Sequence, residues 1–248
     1  LEQALALWRA LYDEPHPQIA QACRDLGHAL HSAGELREAQ EYYARACAMD
    51  DTLYGDDHPT VAQDLNNLAR ILKTLGRFDE ARDVCERALA MAEEAHGPGA
   101  PELVSIVNNL AGVLHAQSDL QAAQAAYQRA LAIAEATYGS EHPQVAGIAS
   151  NLGLTLQSLG DLEGAEAAYE RALAVVEAAR GTEHPMVASI ANNLGMARQA
   201  LGDYASARVA YDRAQRVAEA AYGPVHPEIV ACLCNRGSLA LATKDLAE

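Results

Sequence analysis

HPQVAGIASNLGLTLQSLGDLEGAEAAYERALAVVEAARGTEHP, residues 142–185, carries one complete structural unit and the start of the next. Pro143 sits where a first helical turn tolerates proline, because the missing N–H has no partner there and φ is already helical. Val145, Ile148, Ala149, Leu152, Leu156 and Leu159 then recur at three- and four-residue steps, the rhythm of an amphipathic helix. Gly160 ends that helix, and Asp161 can cap a second one. The second buried face reads Leu162, Ala165, Ala168, Tyr169, Ala172, Leu173 and Val176. Arg180-Gly181 closes it, and Thr182-Glu183-His184 leads into the next proline. The segment therefore predicts an antiparallel helix pair with short connections.

The same pattern recurs along the chain. Pro17, Pro59, Pro101, Pro143, Pro185 and Pro227 are spaced by 42 residues, and a fixed period of this length marks a stacked repeat protein. His precedes five of these prolines, at 16, 58, 142, 184 and 226, with Ala100 the exception. Asn recurs at 67, 109, 151, 193 and 235, with Asp25 in the first unit. The units are 17–58, 59–100, 101–142, 143–184 and 185–226 of a single array. Leu1, Ala4 and Leu5 align with Tyr43, Ala46 and Cys47, so residues 1–16 read as the second helix of a preceding unit. Residues 227–248 read as the first helix of a truncated one, with Lys244-Asp245-Leu246 opening another second helix. No polar capping helix is evident at either end, so the expectation is a fragment of a longer array. The predicted fold is all-α, with about eleven helices.

Small residues recur where paired helices must approach closely. Ala39, Ala81, Ala123, Ala165 and Ala207 form one column; Ala46, Ala88, Ala130, Ala172 and Ala214 form another. Gly34, Gly76, Gly160 and Gly202 mark the turn between helices, with Ser118 as a substitute, and Tyr43, Tyr127, Tyr169 and Tyr211 fill the space between units. This pattern resembles the tetratricopeptide repeat (TPR). The family's first-helix small residue matches Ala69, Ala111, Gly153 and Gly195; its turn glycine matches Gly76 and Gly160. Its second-helix Ala matches Ala81 and Ala165, its aromatic Tyr127 and Tyr169, and its second small residue Ala130 and Ala172. The longer unit, with its Tyr-Gly-x-x-His-Pro connection, is similar to the repeats of kinesin light chains and their bacterial relatives. The resemblance implies a right-handed α-solenoid of antiparallel helix pairs, the TPR superhelix.

Composition narrows the function classes. Net charge is -16, from 34 acidic and 18 basic residues, which opposes phosphate backbones and anionic lipid. Neither nucleic acid nor a membrane is expected as partner. The five cysteines, Cys23, Cys47, Cys85, Cys232 and Cys234, show no disulfide framework and read as free, buried thiols in a reducing, cytoplasmic compartment. The sequence contains no Gly-rich phosphate loop with Lys and Ser/Thr, no His-Glu-x-x-His, no nucleophile elbow and no Cys-x-x-Cys. No enzymatic activity, cofactor or metal is expected.

The resemblance further implies that first helices line a concave groove, and it names the positions facing it. In the early units these include Arg24, His28, His31, Gln63, Asn66, Asn67, Arg70 and Lys73, then Asn108, Asn109 and His115. Farther on they include Asn151, Leu154, Asn192, Asn193, Met196 and Asn235. All thirty-six groove positions hold one acid, Asp25, where about five would match the chain-wide frequency. Cations and histidines occupy units one to three, while Leu154, Met196 and Leu241 lie later. The expected ligand is a protein or peptide segment with an acidic portion over the early units and an apolar portion over the later ones.

Other columns have plainer readings. A carboxamide offers both a donor and an acceptor, and related domains hold a bound peptide backbone with Asn at the place of Asn67, Asn109, Asn151 and Asn193. The same Asn can instead tie its helix to the adjacent unit, and the two roles are compatible. Helices pack ~8–10 Å apart, so the His-Pro histidines cannot share an ion with ~2 Å ligand bonds. Satisfying helix-end groups and packing under the preceding Tyr suits them better. Arg45, Arg87, Arg129, Arg171 and Arg213 read as a solvated or ion-paired stripe on the second helices. Cys232-x-Cys234 is a weak metal or redox motif, because residues two apart on a helix diverge. The leading functional expectation is a protein–protein interaction module. Its rivals are a sensor or autoinhibitory region of a larger signalling protein, and a structural solenoid that self-associates end to end.

Overall fold

The computed structural model describes residues 1–55 and 58–243. Among them twelve α-helices and no strand occur. In chain order they are α1 (Glu2–Leu11), α2 (Pro17–Ala33), α3 (Leu36–Tyr54), α4 (Pro59–Thr74), α5 (Phe78–His96) and α6 (Leu103–Ala116). Then follow α7 (Leu120–Tyr138), α8 (Pro143–Leu159), α9 (Leu162–Arg180), α10 (Pro185–Leu201), α11 (Tyr204–Tyr222) and α12 (Pro227–Thr243). The total is twelve, not eleven, because α1 and α12 each add one helix to five pairs. The expected start at Lys244-Asp245-Leu246 lies outside the described residues.

Three local devices set these boundaries. At the start of α2, α4, α8, α10 and α12 the preceding His turns its Nδ1 onto the backbone N–H two residues on. The distances are 3.2–3.3 Å, so each imidazole fills the role usually given to Ser or Asp at an N-cap. Four of these rings stack on the preceding Tyr: Tyr12–His16, Tyr54–His58, Tyr138–His142 and Tyr222–His226, with centroids 3.9–4.7 Å apart. Where Ala100 replaces His, the cap is lost and α6 begins only at Leu103, two residues beyond Pro101. Second, the intra-pair turn needs a left-handed residue, supplied by Gly34, Gly76, Gly160 and Gly202, and by Ser118 at φ 64°. Third, second helices close on a glycine such as Gly181, whose φ 88° and ψ 163° are open to almost no other residue.

The chain divides into two compact units, Leu1–Ala126 and Tyr127–Glu248, of which the second is described as far as residue 243. In the first, Leu5 of α1 packs with Ile19, Cys23 and Leu26 of α2 and with Ala46 and Met49 of α3. A further cluster joins Ala69 and Leu72 of α4, Ala81 and Cys85 of α5, and Leu110, Val113 and Leu114 of α6. In the second unit Val145, Ile148, Ala149, Leu152 and Leu156 are buried on α8, opposite Ala165, Tyr169, Ala172, Leu173 and Val176 on α9. Leu159, Leu162 and Ala168 are only half-buried, the first two flanking the solvent-facing turn. Cys23, Cys47, Cys85 and Cys232 are buried free thiols, but Cys234 is exposed, because it sits two positions round the helix from Cys232.

The imidazole caps yield a direct test. His142→Ala should destabilise the protein by about 1 kcal/mol, the usual value of an N-cap, and His142→Asn should recover most of it. Urea denaturation followed by helical circular dichroism measures both. Equal losses for Ala and Asn would assign the contribution to the Tyr138 stack instead.

Candidate functional site

In the Leu1–Ala126 unit the expected groove residues come from α2, α4 and α6. They separate into three groups with different chemistry. Arg24 is the first, and it differs from the sequence expectation of a cation open to ligand. Its Nη1 lies 2.5 Å from Asp50 Oδ2 and 3.1 Å from Asp64 Oδ2, and its other nitrogens donate to Gln21 Oε1. Both aspartates are buried, so Arg24 is their counter-charge. Burial pushes the Asp64 carboxyl up; Asp50 adds to the rise and Arg24 opposes it. Arg24 and Asp64 also wall an open pocket of about 380 Å³, lined in part by Gln21, Gln63, His96 and Glu102.

The second group is amide. Asn109 Nδ2 donates to Asn66 Oδ1 at 2.8 Å, and Asn66 Nδ2 donates to Ser105 Oγ at 3.3 Å. The Tyr127–Glu248 unit repeats the link, Asn235 Nδ2 donating to Asn192 Oδ1 at 2.9 Å. Each bond joins consecutive first helices, so part of the Asn column does tie repeats together. Asn66, Asn67 and Asn192 are buried, Asn108, Asn109, Asn193 and Asn235 are half-buried, and Asn151 is exposed. Asn108 and Asn151 have partners of their own.

The third group is basic. Arg70 Nη2 stands 3.4 Å from His28 Nδ1, while Arg70 Nε is buried with no hydrogen-bond partner among the described residues. Burial, followed by the Arg70 charge, lowers the pKa of His28, against the pull of Asp25. Burial and then Arg70 also lower His31. The Lys73 ammonium is lowered by burial, with Arg70 adding and Cys85 opposing, and His115 by burial and then Lys73. These groups thus act on one another across α2, α4 and α6. In the second unit Leu154 is exposed, whereas Met196 is half-buried against Ala207, Tyr211 and Leu239 and belongs partly to the core.

The second-helix arginines carry ion pairs. Arg45 meets Glu14, Arg87 meets Asp51, Arg171 meets Glu135 and Arg213 meets Glu177. Arg129 also has a partner. Among the described residues no three His, Cys, Asp or Glu side chains gather as metal ligands. Nor is any helix there long and apolar enough to cross a membrane.

Sequence reading missed Asp50 and Asp64, yet a signal existed. Asp64 stands in a column otherwise occupied by Ala22, Ile106, Ile148, Ile190 and Cys232. Asp50 stands in a column of Ala92, Ala134, Val176 and Ala218. An acid in an apolar column is a buried charge, and it demands a partner.

Comparison with known proteins agrees with this architecture. Profiles described as "Tetratricopeptide repeat" match residues 1–52, 102–178, 144–214 and 186–248, and a second profile of that description matches 62–102. The chain belongs to the tetratricopeptide-repeat family. Among solved structures, BtubC (BKLC) from P. vanneervenii is 26% identical with a TM-score of 0.75, covering 91% of each chain. A Podosopora anserina protein of kinesin-light-chain type with nearly identical TPR-like repeats is 22% identical, with a TM-score of 0.70, covering 85% of this chain and 100% of that one. A Rap protein complexed with Competence and Sporulation Factor is 18% identical, with a TM-score of 0.68, covering 93% of this chain and 67% of its own. No curated protein sequence matches the chain.

The Arg24 cluster makes two predictions. Arg24→Met leaves two buried carboxylates uncompensated and should cost about 3–5 kcal/mol of stability. Because native Asp64 holds its proton more tightly than in the unfolded chain, its contribution is full below the ordinary carboxylate range, about pH 4, and is lost as pH rises toward neutrality. Asp64→Asn should therefore gain thermal stability relative to the parent as pH rises over that window. A difference between the two proteins that does not change with pH would show that Asp64 is ionised throughout.

Proposed function

We propose that the protein is an interaction module whose first helices bind an acidic segment of a partner protein, in the Leu1–Ala126 unit. The observation that carries the reading is Arg70: beside Lys73, it contacts a histidine rather than a carboxylate on a chain of net charge -16. Ten other arginines are salt-bridged to acids. A cation kept apart from carboxylates retains its attraction for one that arrives with a ligand. The structurally similar Rap protein in complex with Competence and Sporulation Factor supports a binding role for such repeats. Arg24 has a structural part in this reading. His28, His31 and His115 of the same unit add polar contacts; Leu154, in the second unit, is by itself an exposed apolar side chain.

The Asn column enters as a backbone grip. Asn109 commits one amide hydrogen to Asn66 and leaves its oxygen to accept from a bound main chain. Asn67, Asn151 and Asn193 are assigned the same role. End-to-end self-association is the alternative with a physical basis, since Val225, Val230 and Leu233 of the second unit are exposed.

Two binding measurements test the reading. The Arg70→Glu/Lys73→Glu double variant should bind acidic peptides at least ten times more weakly than the parent and lose the salt dependence of binding, while Arg87→Glu stays near the parent. A peptide-array profile identical for parent and double variant would remove the electrostatic reading. Asn109→Ala should weaken all peptides alike by about 1–2 kcal/mol. Asn66→Ala breaks the same inter-repeat bond but should leave affinity close to that of the parent. Equal losses in both would make the column a tie between helices and nothing more.

A further inference from the structure

The Tyr column exposes an irregularity beside Arg70. Tyr169 Oη donates to Gln157 Oε1 at 3.2 Å, and Tyr211 Oη donates to Gln199 Oε1 at 3.0 Å. Gln157 and Gln199 occupy the same place in their units, and His31 and Lys73 hold that place in the first two. Tyr43, wholly buried, has no such glutamine, and its hydroxyl has no hydrogen-bond partner of normal geometry among the described residues. Burial raises the Tyr43 pKa, and neighbouring Arg70 opposes the rise through its charge and through the close approach of its guanidinium to the hydroxyl. Arg70 Nε is likewise a buried donor without a partner. The ring of His28 meets that of Tyr43 edge-on at 5.4 Å. Two adjacent buried donors that find no acceptor of normal geometry among the described residues, beyond their approach to each other, are costly and uncommon in a protein interior.

We propose that Tyr43, His28, Arg70 and Lys73 form a subsite for the phosphoryl group of a phosphorylated peptide side chain; the inference rests on the reading that this first-helix face binds an acidic segment. A phosphoryl group brings three acceptor oxygens and a charge of about −1.5 to −2 at pH 7. The Tyr43 hydroxyl, the Arg70 guanidinium and the Lys73 ammonium are three donors, and the last two are cations without a carboxylate partner among the described residues. A single carboxylate would leave one of those charges uncompensated. Binding should also draw protons. His28 faces Arg70 of α4, Tyr43 of α3 and Asp25 on its own helix; His31 faces Arg70 and His28; Lys73 faces Arg70, Cys85 of α5 and His115 of α6. Apart from Asp25 these neighbours supply cations or neutral groups, so an incoming dianion favours the protonated form of each histidine.

The test compares acetyl-Asp-phosphoSer-Asp-amide with its Ser and Glu counterparts and with inorganic phosphate, by titration calorimetry at constant ionic strength. The phosphopeptide should bind the parent at least tenfold tighter than the Glu peptide, with proton uptake seen as a heat that varies with the buffer's ionisation enthalpy. Tyr43→Phe should abolish most of that preference while leaving the Glu peptide's affinity unchanged. Should Tyr43→Phe fail to fold, Arg70→Lys, which removes the Nε donor and keeps the charge, should narrow the preference in the same way. Equal binding of phosphoSer and Glu peptides overturns the phosphoryl subsite and leaves the acidic-segment reading standing. Failure of every acidic peptide removes both. Inorganic phosphate binding as tightly as the phosphopeptide overturns the peptide source in favour of a free anion.

Discussion

The contact on which three of the five helix pairs depend is a tyrosine ring pressed against a glycine backbone that has no side chain in the way. A Cβ built on Gly153 would come within 2.8 Å of the Tyr169 ring, one on Gly195 within 2.6 Å of Tyr211, and one on Gly27 within 3.0 Å of Tyr43. Such distances are below any normal van der Waals approach. The two helices of a pair therefore sit as close as their backbones permit, and the alanine columns are what that proximity requires. Alanine buries little apolar surface by itself, so an alanine-rich interface gains its stability from close packing and from the few large rings that fill it. The glycine in the first helix loses about 1 kcal/mol of helix propensity relative to alanine. Overpacking the ring would cost about 1–3 kcal/mol, which makes glycine the better choice there.

That same contact fixes where each hydroxyl emerges. With the ring locked, the residue at one first-helix position decides what the oxygen meets: Gln157 and Gln199 close the bond, whereas His31 leaves Tyr43 open. Packing and chemistry are thus separate variables in this repeat. The ring is structural in every unit that has it, and the neighbour determines whether its buried polar end is bonded or left without a partner among the described residues.

Most of the architecture was legible because a period of 42 residues states each requirement several times over. The proline starts, left-handed turns and buried faces could be read from one unit and checked against four others. The imidazole caps were legible in outline, since His before Pro has few other uses at a helix start. What the period hid was the fate of individual polar groups. Arg24 has the look of a groove cation because Asn66, Asn108 and Asn192 share its column, yet it answers two buried acids in neighbouring helices. Its role follows only when Asp50 and Asp64 are recognised as breaks in apolar columns. The Asn column was ambiguous for another reason: the bond from Asn109 to Asn66 spans 43 residues, one more than the period, and so joins two different columns.

The distribution of charge separates structural from available cations. Acids outnumber bases by 34 to 18, so a random arginine finds a carboxylate easily. Three of the second-helix arginines, Arg87, Arg171 and Arg213, do so in register, reaching an acid 36 residues earlier in the chain, and such half-exposed pairs contribute about 0–1 kcal/mol apiece. Their regularity marks them as part of the stack. Keeping Arg70 beside histidines and a lysine, amid an excess of acids, is the less expected arrangement, and it lowers the native state's own stability through like-charge repulsion. A folded chain retains such repulsion where something else relieves it. In the reading proposed above that relief comes from an anion on the bound segment, which would place the polar chemistry of this molecule on α2 and α4.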